Sequence, residues 1–339
     1  MIKIIFCKKK FKNNLLLFLK KNWPTKSVVF SNKKLFDWLF LNKKSKVYNF
    51  LVAKNKNEIF SCLAILKSNF VNRKKTNRNR GFIWLTFWLS KKNQSISGIN
   101  LISYILKRYK NYIIGTTGCN PKALKIYKLL GFKTGYLNHF YLTNPLVKKF
   151  LINKILKNEV KQKRKNNSYY LEIHKNLNFY KKIENRKYYE TLFLKNKNYF
   201  KSKYYLNPYY NYFFLVLKNK EKIYGFFIGR ECKFKKRKNL RFLEFFGNTK
   251  HLIYFQNDLQ DLAIKSKYEC IDFYCNGIDE KILLKAGFLK NHFTKDIIIP
   301  NYFEPFSKNN VKLAYAVWPN KNMPPFFKGD GDQDRPNKI

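Results

Sequence analysis

The chain is poor in acid. Its 339 residues include 20 Asp plus Glu against 70 Lys plus Arg, a formal charge of +50. Gly (13) and Pro (10) are also scarce, whereas Lys, Asn, Ile, Phe and Tyr, all with A/T-rich codons, saturate the chain. Genome base composition therefore competes with polyanion binding as the origin of the charge, and the basic residues are spread along the whole chain. Their densest cluster, Arg73-Lys74-Lys75 with Arg78 and Arg80, falls between two strand-like runs and reads as a solvated hairpin loop. No specific nucleic-acid partner is expected. The six cysteines form no C-x-x-C pair and have no histidine at metal-ligand spacing, so no metal is expected and the thiols read as free, in a reducing compartment. Long apolar runs are missing too. Leu15 to Leu19 is too short for a signal-peptide core, and nothing approaches the ~18 apolar residues of a membrane span. A soluble, cytoplasmic protein without a transmembrane segment is expected.

The length favours two domains. Met1 to Phe6 is β-prone, Phe11 to Lys20 is a helical candidate, and Tyr48 to Ala53 with Ile59 to Leu66 reads as an antiparallel hairpin. Ile83 to Leu89 is apolar on both faces, as a central strand covered on both sides would be. Ile99 to Tyr109 carries a helical stripe of Ile102, Ile105, Leu106 and Tyr109. From Tyr112 the chain reads strand, helix, strand: Asn120-Pro121 caps and starts a helix, Ala123, Ile126, Tyr127 and Leu130 share its apolar face, Gly131 ends it, and Tyr136 to Leu142 is aromatic and β-prone. Cys119-Asn120 and Gly131-Phe132 recur as Cys275-Asn276 and Gly287-Phe288, displaced by the same 156 positions. The elements before the motif recur in the same order, so the chain reads as an internal duplication. The expected divisions are a first domain at 1–145, a basic and partly amphipathic helical linker at 146–167, and a second domain at 168–339.

The pattern N-x-x-A-x-x-x-Y-x-x-x-G-F followed by a strand resembles the second half of the GNAT N-acyltransferase fold. The resemblance implies an α/β (α+β) class: two tandem GNAT-like domains, each a mixed, mostly antiparallel sheet flanked by helices. It implies acetyl-CoA or another acyl-CoA as co-substrate, with Asn120 on the pantetheine and Tyr127 protonating the departing thiolate. The segment before the Ile99 helix stands where that family binds pyrophosphate on backbone amides. Of the Arg/Gln-x-x-Gly-x-Gly/Ala pattern only Gly98 remains, with Ser95 at the first position and Asn100 at the last; Ser97, Gly98, Ile99 and Asn100 are the cofactor-binding candidates. The second copy has Leu283 at the position of Tyr127, and Phe246-Gly247-Asn248-Thr249 has no phosphate-loop signature, which makes the first domain the catalytic candidate.

N-acylation needs a base or a water path to neutralise the amine. Up to residue 150 the only carboxylates are Asp37 and Glu58. His139, on the strand after the Tyr127 helix, is the base candidate, against the alternative of a hydrogen-bonded structural histidine. Asp37 and Trp38 are candidates for acceptor contacts. So are Asp332 and Asp334, in the C-terminal run GDGDQDRPN. Asp330, Asp332 and Asp334 have the spacing of calcium ligands, but Arg335 stands where an EF-hand requires Gly and the twelfth-position Glu is missing. This acidic end is either solvated, or folded back onto the basic chain, or placed to hold a cationic or hydroxyl-rich acceptor. The whole arrangement is similar to tandem GNAT-like proteins of surface-polysaccharide and nucleotide-sugar gene clusters. The function this implies is transfer of an acyl group, acetyl first, to an amino group of a sugar or related small molecule. Two alternatives stand: a Fem-type aminoacyl-tRNA-dependent transferase, which the charge suits but which lacks its coiled-coil arm here, and a catalytically inactive GNAT-like binding protein.

Overall fold

The computed structural model describes residues 2–56, 58–68, 81–156, 158–159, 168–319 and 323–336. The basic cluster at 73–80 lies outside the described residues, as do most of 157–167 and Asn337. The first half contains β1 (Lys3–Lys8), α1 (Lys12–Asn22), α2 (Lys33–Phe40), β2 (Val47–Asn55), β3 (Glu58–Lys67), β4 (Phe82–Ser90), α3 (Ser95–Arg108), β5 (Ile113–Thr117), α4 (Pro121–Leu129), β6 (Lys133–Tyr136) and β7 (Asn138–Thr143). The second contains β8 (Tyr169–His174), α5 (Arg186–Phe193), β9 (Phe213–Asn219), β10 (Lys222–Phe234), β11 (Arg237–Gly247), α6 (Gln256–Lys265), β12 (Tyr268–Asn276), α7 (Glu280–Lys285), β13 (Leu289–Lys290), β14 (Ala314–Trp318) and β15 (Phe326–Phe327).

The first sheet runs β1-β2-β3-β4-β5-β14-β6, and the second β8-β9-β10-β11-β12-β7-β13, with β15 also on β12. Pairing is parallel at β4–β5 and β11–β12 and antiparallel at the other named pairs. The expected architecture of two mixed, mostly antiparallel sheets flanked by helices is therefore what the chain forms. α3 and α4 cover one face of the first sheet with Leu101, Ile102, Ile105 and Tyr127, and α1 and α2 cover the other with Leu15, Leu19, Leu35 and Phe36. Each such fully buried aliphatic side chain contributes about 1.5–3 kcal/mol.

The duplication extends into local geometry. α4 is capped by Asn120 Oδ1, which accepts from Ala123 N at 2.8 Å. It ends in a Schellman motif: Phe132 N donates to Tyr127 O, Gly131 N to Lys128 O, and Gly131 has φ +82°. α7 ends the same way, with Phe288 N on Leu283 O, Gly287 N on Leu284 O and Gly287 at φ +92°. Both glycines sit in the left-handed region that a side chain would strain. The register irregularity of β4 after Thr86 recurs in β11 after Phe242, at the same 156-residue displacement. In β4 it is a bulge at Phe87, whose φ is +47°.

The sheets do not divide where the sequence suggested. β7, from the first half, inserts between β12 and β13 of the second sheet. β14, from the second half, inserts between β5 and β6 of the first. The exchange is reciprocal, so a boundary at 145 cuts a strand away from its own sheet partners. The linker also differs from expectation: residues 148–156 are not helical. Instead the amides of Leu151, Ile152 and Asn153 donate to the buried Glu269 carboxylate at 2.9, 2.9 and 3.3 Å, a set of bonds that a helix through these residues would have to give up. The acidic end is folded back, with Asp330 and Asp332 buried.

Residues 1–145 produced alone lack β14, which leaves the facing edges of β5 and β6 unpaired. They are expected to show no cooperative thermal unfolding by circular dichroism, and co-production with 146–339 to restore it.

Candidate active site

β4 and β5 pair only over Phe82–Trp84 and Ile113–Gly115. Beyond that the bulge at Phe87 turns β4 away, and the strands diverge. The bulge also rephases the side chains: Phe82, Trp84 and Phe87 pack on the face of α1, α2 and the second half, while Ile83, Leu85 and Trp88 pack on the face of α3 and α4.

From the helical side α4 carries Tyr127 to this opening. Its ring lies 5.4 Å from Trp88 and 5.0 Å from Phe132, and the residue is 2% exposed. Burial, and then the neighbouring Cys119 thiol, push the phenol far above its usual range, so it stays protonated at neutral pH. Among the described residues its hydroxyl has no hydrogen-bond partner.

α3 begins at Ser95, earlier than expected. Ser97 N is used within the chain, on Gln94 O at 3.1 Å, and Ser97 Oγ donates to the same carbonyl at 2.7 Å. Gly98, Ile99 and Asn100 lie inside the helix. A Cβ at Gly98 would stand 2.2 Å from Ser90 Oγ, so this glycine serves the close packing of α3 on β4. The amides without a protein acceptor among the described residues are those of Ser95 and Ile96, in the exposed first turn next to Lys91 and Lys92. Asn120 is exposed, and its Oδ1 is spent on the cap of α4.

On the other face of β4 a cavity of about 480 Å³ opens between the halves, lined among others by Trp38, Trp84, Asp332 and Asp334. Three of the four candidate acceptor residues thus meet there. Asp37 does not join them: Tyr48 Oη and Lys12 Nζ donate to its Oδ1 at 2.6 and 2.7 Å. The C-terminal segment forms one wall. Asp332 accepts from Thr86 Oγ1 and from Arg335, and Gln333 Nε2 donates to Thr117 O at 3.0 Å, close against Gly118. Asp334 holds Arg230 through two bonds, at 2.6 and 2.9 Å, and accepts from Tyr212 Oη at 2.8 Å.

The equivalent opening in the second sheet is filled by the chain itself. β15 pairs with Cys275 and Asn276, Lys328 N donates to Tyr274 O at 3.2 Å, and Gly329 N donates to Leu243 O at 3.0 Å. Beneath it, Lys195 Nζ bridges Glu244 at 2.7 Å and Asp330 at 2.6 Å, all three fully buried, and Tyr199 and Tyr204 donate to Glu244. Burial alone would raise the Glu244 carboxyl, but Lys195 and Lys203 hold it below its usual range. Sequence reasoning missed this cluster. Its one signal was a carboxylate inside the apolar run Leu240 to Phe246.

His139 does not line the cavity, because β7 belongs to the second sheet. It is 1% exposed, stacked on Tyr274 at 3.7 Å, and hydrogen-bonded to Asp272 at 3.3 Å and Asn291 at 3.1 Å. Arg241 donates to both Asp272 oxygens and to the carbonyls of Pro300 and Asn301. The placement is that of the hydrogen-bonded structural histidine.

No family model and no curated protein matches the sequence. Solved structures do share the fold. A GCN5-related N-acetyltransferase from Anabaena variabilis aligns with a TM-score of 0.55 at 12% identity, over 93% of this chain and 72% of that one. A GCN5-related N-acetyltransferase from Kribbella flavida aligns with a TM-score of 0.53 at 10% identity, over 94% and 70%. At these identities the likeness establishes the fold, two tandem GNAT-like units.

Burial lowers the His139 pKa, with the Asp272 hydrogen bond opposing it, so folding favours the neutral ring and this contribution to stability is lost as pH falls below the unfolded value of about 6.5. Burial would raise the Asp272 carboxyl, but Arg241 and His139 hold it far below its ordinary range; its contribution is present above about pH 4 and lost below. Chemical denaturation of His139→Asn is therefore expected to show a flatter stability profile between pH 7 and 5 than the parent. Arg241→Ala, which leaves Asp272 buried without its cation, is expected to cost about 3–5 kcal/mol.

Proposed function

We propose that the protein is an N-acyltransferase that moves an acyl group, acetyl first, from CoA to the amino group of a sugar or related small molecule, as in surface-polysaccharide synthesis. The observation that carries the reading is Tyr127: a buried phenol, protonated and unpartnered among the described residues, set where β4 and β5 diverge, an opening into which no strand of the described residues pairs. The residues present fit the co-substrate. The free amides of Ser95 and Ile96, with the dipole of the 14-residue α3 and the adjacent lysines, suit a pyrophosphate. The opening beyond Trp84 and Gly115 suits an extended thioester arm.

In the transfer, the neutral amine attacks the thioester carbonyl, the new C–N bond forms and the C–S bond breaks. Tyr127 Oη delivers its proton to the departing sulfur. His139 is sealed in the second sheet and Asp332 is held by Thr86, Gln333 and Arg335, so the amine's proton leaves to water in the cavity. The phenol is restored from solvent.

One observation favours a second reading, that of a non-catalytic binder: Gln333 already occupies Thr117 O at the mouth of the opening. A Fem-type transferase gains no comparable support, because the longest helix among the described residues is α3.

Tyr127→Phe keeps the ring and its contacts and removes the proton. Thiol release from acetyl-CoA with an amino-sugar panel is expected to fall about 10²-fold or more, with acetyl-CoA affinity within about 2-fold of the parent. Full turnover in this variant would reduce Tyr127 to core packing. Ser95→Glu places a negative charge where it suits the helix dipole but repels phosphate; calorimetry is expected to give acetyl-CoA binding about 10-fold weaker, with no loss of melting temperature. Acetyl-CoA that fails to bind the parent at millimolar concentration would leave the non-catalytic reading standing.

A further inference from the structure

The charges that line the cavity between the halves are almost all answered by the protein. Asp334 is taken by Arg230 and Tyr212, and Asp332 by Thr86, Gln333 and Arg335. Lys203 donates to the carbonyls of Gly329, Asp330 and Gly331 and stands 3.5 Å from Glu244. The remaining lining cation, Lys67, is exposed, its amine 3.2 Å from the Tyr109 hydroxyl.

What is left unengaged is neutral. The carboxamide of Asn49, half-buried on β2, has no hydrogen bond among the described residues. Trp84, 1% exposed, contributes its ring to the wall, with its indole N–H closed off from the cavity. A half-buried carboxamide without a protein partner is a group that a ligand hydroxyl can satisfy. Trp38, half-buried, adds an aromatic face to the same wall. The volume, about 480 Å³, lies inside the ~300–1,000 Å³ range of small-molecule sites.

We infer that this cavity is the acceptor subsite and that it takes an uncharged, hydroxyl-bearing ring that carries the reacting amine. The inference rests on the acyl-transfer reading for the word acceptor, and on the cavity alone for the ligand class. A polyamine would need carboxylates free of their own cations, and a nucleoside diphosphate would need cations free of carboxylates deep in the site. A neutral polyol needs neither. Its hydroxyls satisfy Asn49, and its C–H face lies on Trp38. The cavity also stands on the correct side. Trp84 and the Thr86–Asp332 contact belong to the face of β4 opposite Tyr127, so an amine held there meets the diverging strands from one face while the phenol meets them from the other.

The test is calorimetry on the full chain at pH 8.5 with three probes, glucosamine, spermidine and UDP, and with acetyl-CoA as a separate arm, for the parent, Asn49→Ala and Trp38→Ala. Glucosamine is expected to bind, and each substitution to weaken it about 10-fold, with acetyl-CoA binding within about 2-fold of the parent because neither residue is near the start of α3. Spermidine or UDP binding with the same sensitivity to both substitutions overturns the ligand class, as does glucosamine binding that is absent or indifferent to them. Substitution-sensitive glucosamine binding in a protein that does not bind acetyl-CoA upholds the ligand class and overturns acyl transfer alone.

Discussion

Two parallel strands that part inside a protein leave backbone N–H and C=O groups facing each other across a gap, and buried groups of this kind must find partners. Much of this molecule follows from that constraint, because it arises twice. In the second sheet the chain meets it with its own backbone, laying Phe326 to Gly329 between Tyr274 and Leu243. In the first sheet, past Trp84 and Gly115, no strand pairs into the gap among the described residues, and the C-terminal segment bridges it by side chains instead, Asp332 on Thr86 and Gln333 on Thr117. The difference between the halves is therefore geometric as well as chemical. Leu283 in place of Tyr127 removes a proton donor, while β15 removes the room.

The reciprocal strand exchange explains why one segment does both jobs. β14 lies in the first sheet, so the chain leaving it must recross the interface to reach β12, and having filled that gap it turns back toward β4 and β5. The turn is held by Asp330, whose Oδ2 accepts from Phe327 N at 2.7 Å, and by Lys195 beneath it. Residues 331–336 then have no sheet to join. They become the wall of the space between the halves, pinned at Thr86, Thr117 and Arg230. The cavity is a consequence of the exchange and would not exist between two closed, independent sheets.

What the sequence revealed depended on the range of the signal. The cap at Asn120, the Pro121 start, the Gly131 stop and the buried Tyr127 are set within one helix, and each was readable from neighbours a few positions away. The choice of sheet for β7 was not. Its alternating aromatic pattern is equally suited to either sheet, and the selection depends on β12 and β13, more than a hundred residues later; with it went the reading of His139 as a base. The helix that the pattern placed from Ile99 begins at Ser95, so its open first-turn amides precede Gly98, because Gly98 carries a family's pattern while its actual constraint is contact with Ser90. Trp84 and Asn49 had no sequence signal at all: each sits in an ordinary strand pattern, and only the burial of one and the idleness of the other single them out.

The charge imbalance looks different once the acids are located. Glu244, Glu269, Asp272, Asp330 and Asp332 are buried, and each is satisfied by a named cation, hydroxyl or run of amides. These carboxylates are taken out of the surface balance, so the exterior is more one-sidedly basic than the count of 20 acids suggests. The lysines that remain are spread over both halves and are not gathered at the cavity, where the cations other than the exposed Lys67 are spent on acids and carbonyls. A field of this kind attracts any polyanion weakly, through counterion release that fades with salt, and carries no information about shape or sequence. Such selectivity as the molecule has must therefore come from the neutral interior of the cavity, where hydrogen-bond geometry discriminates between ligands more sharply than dispersed charge can.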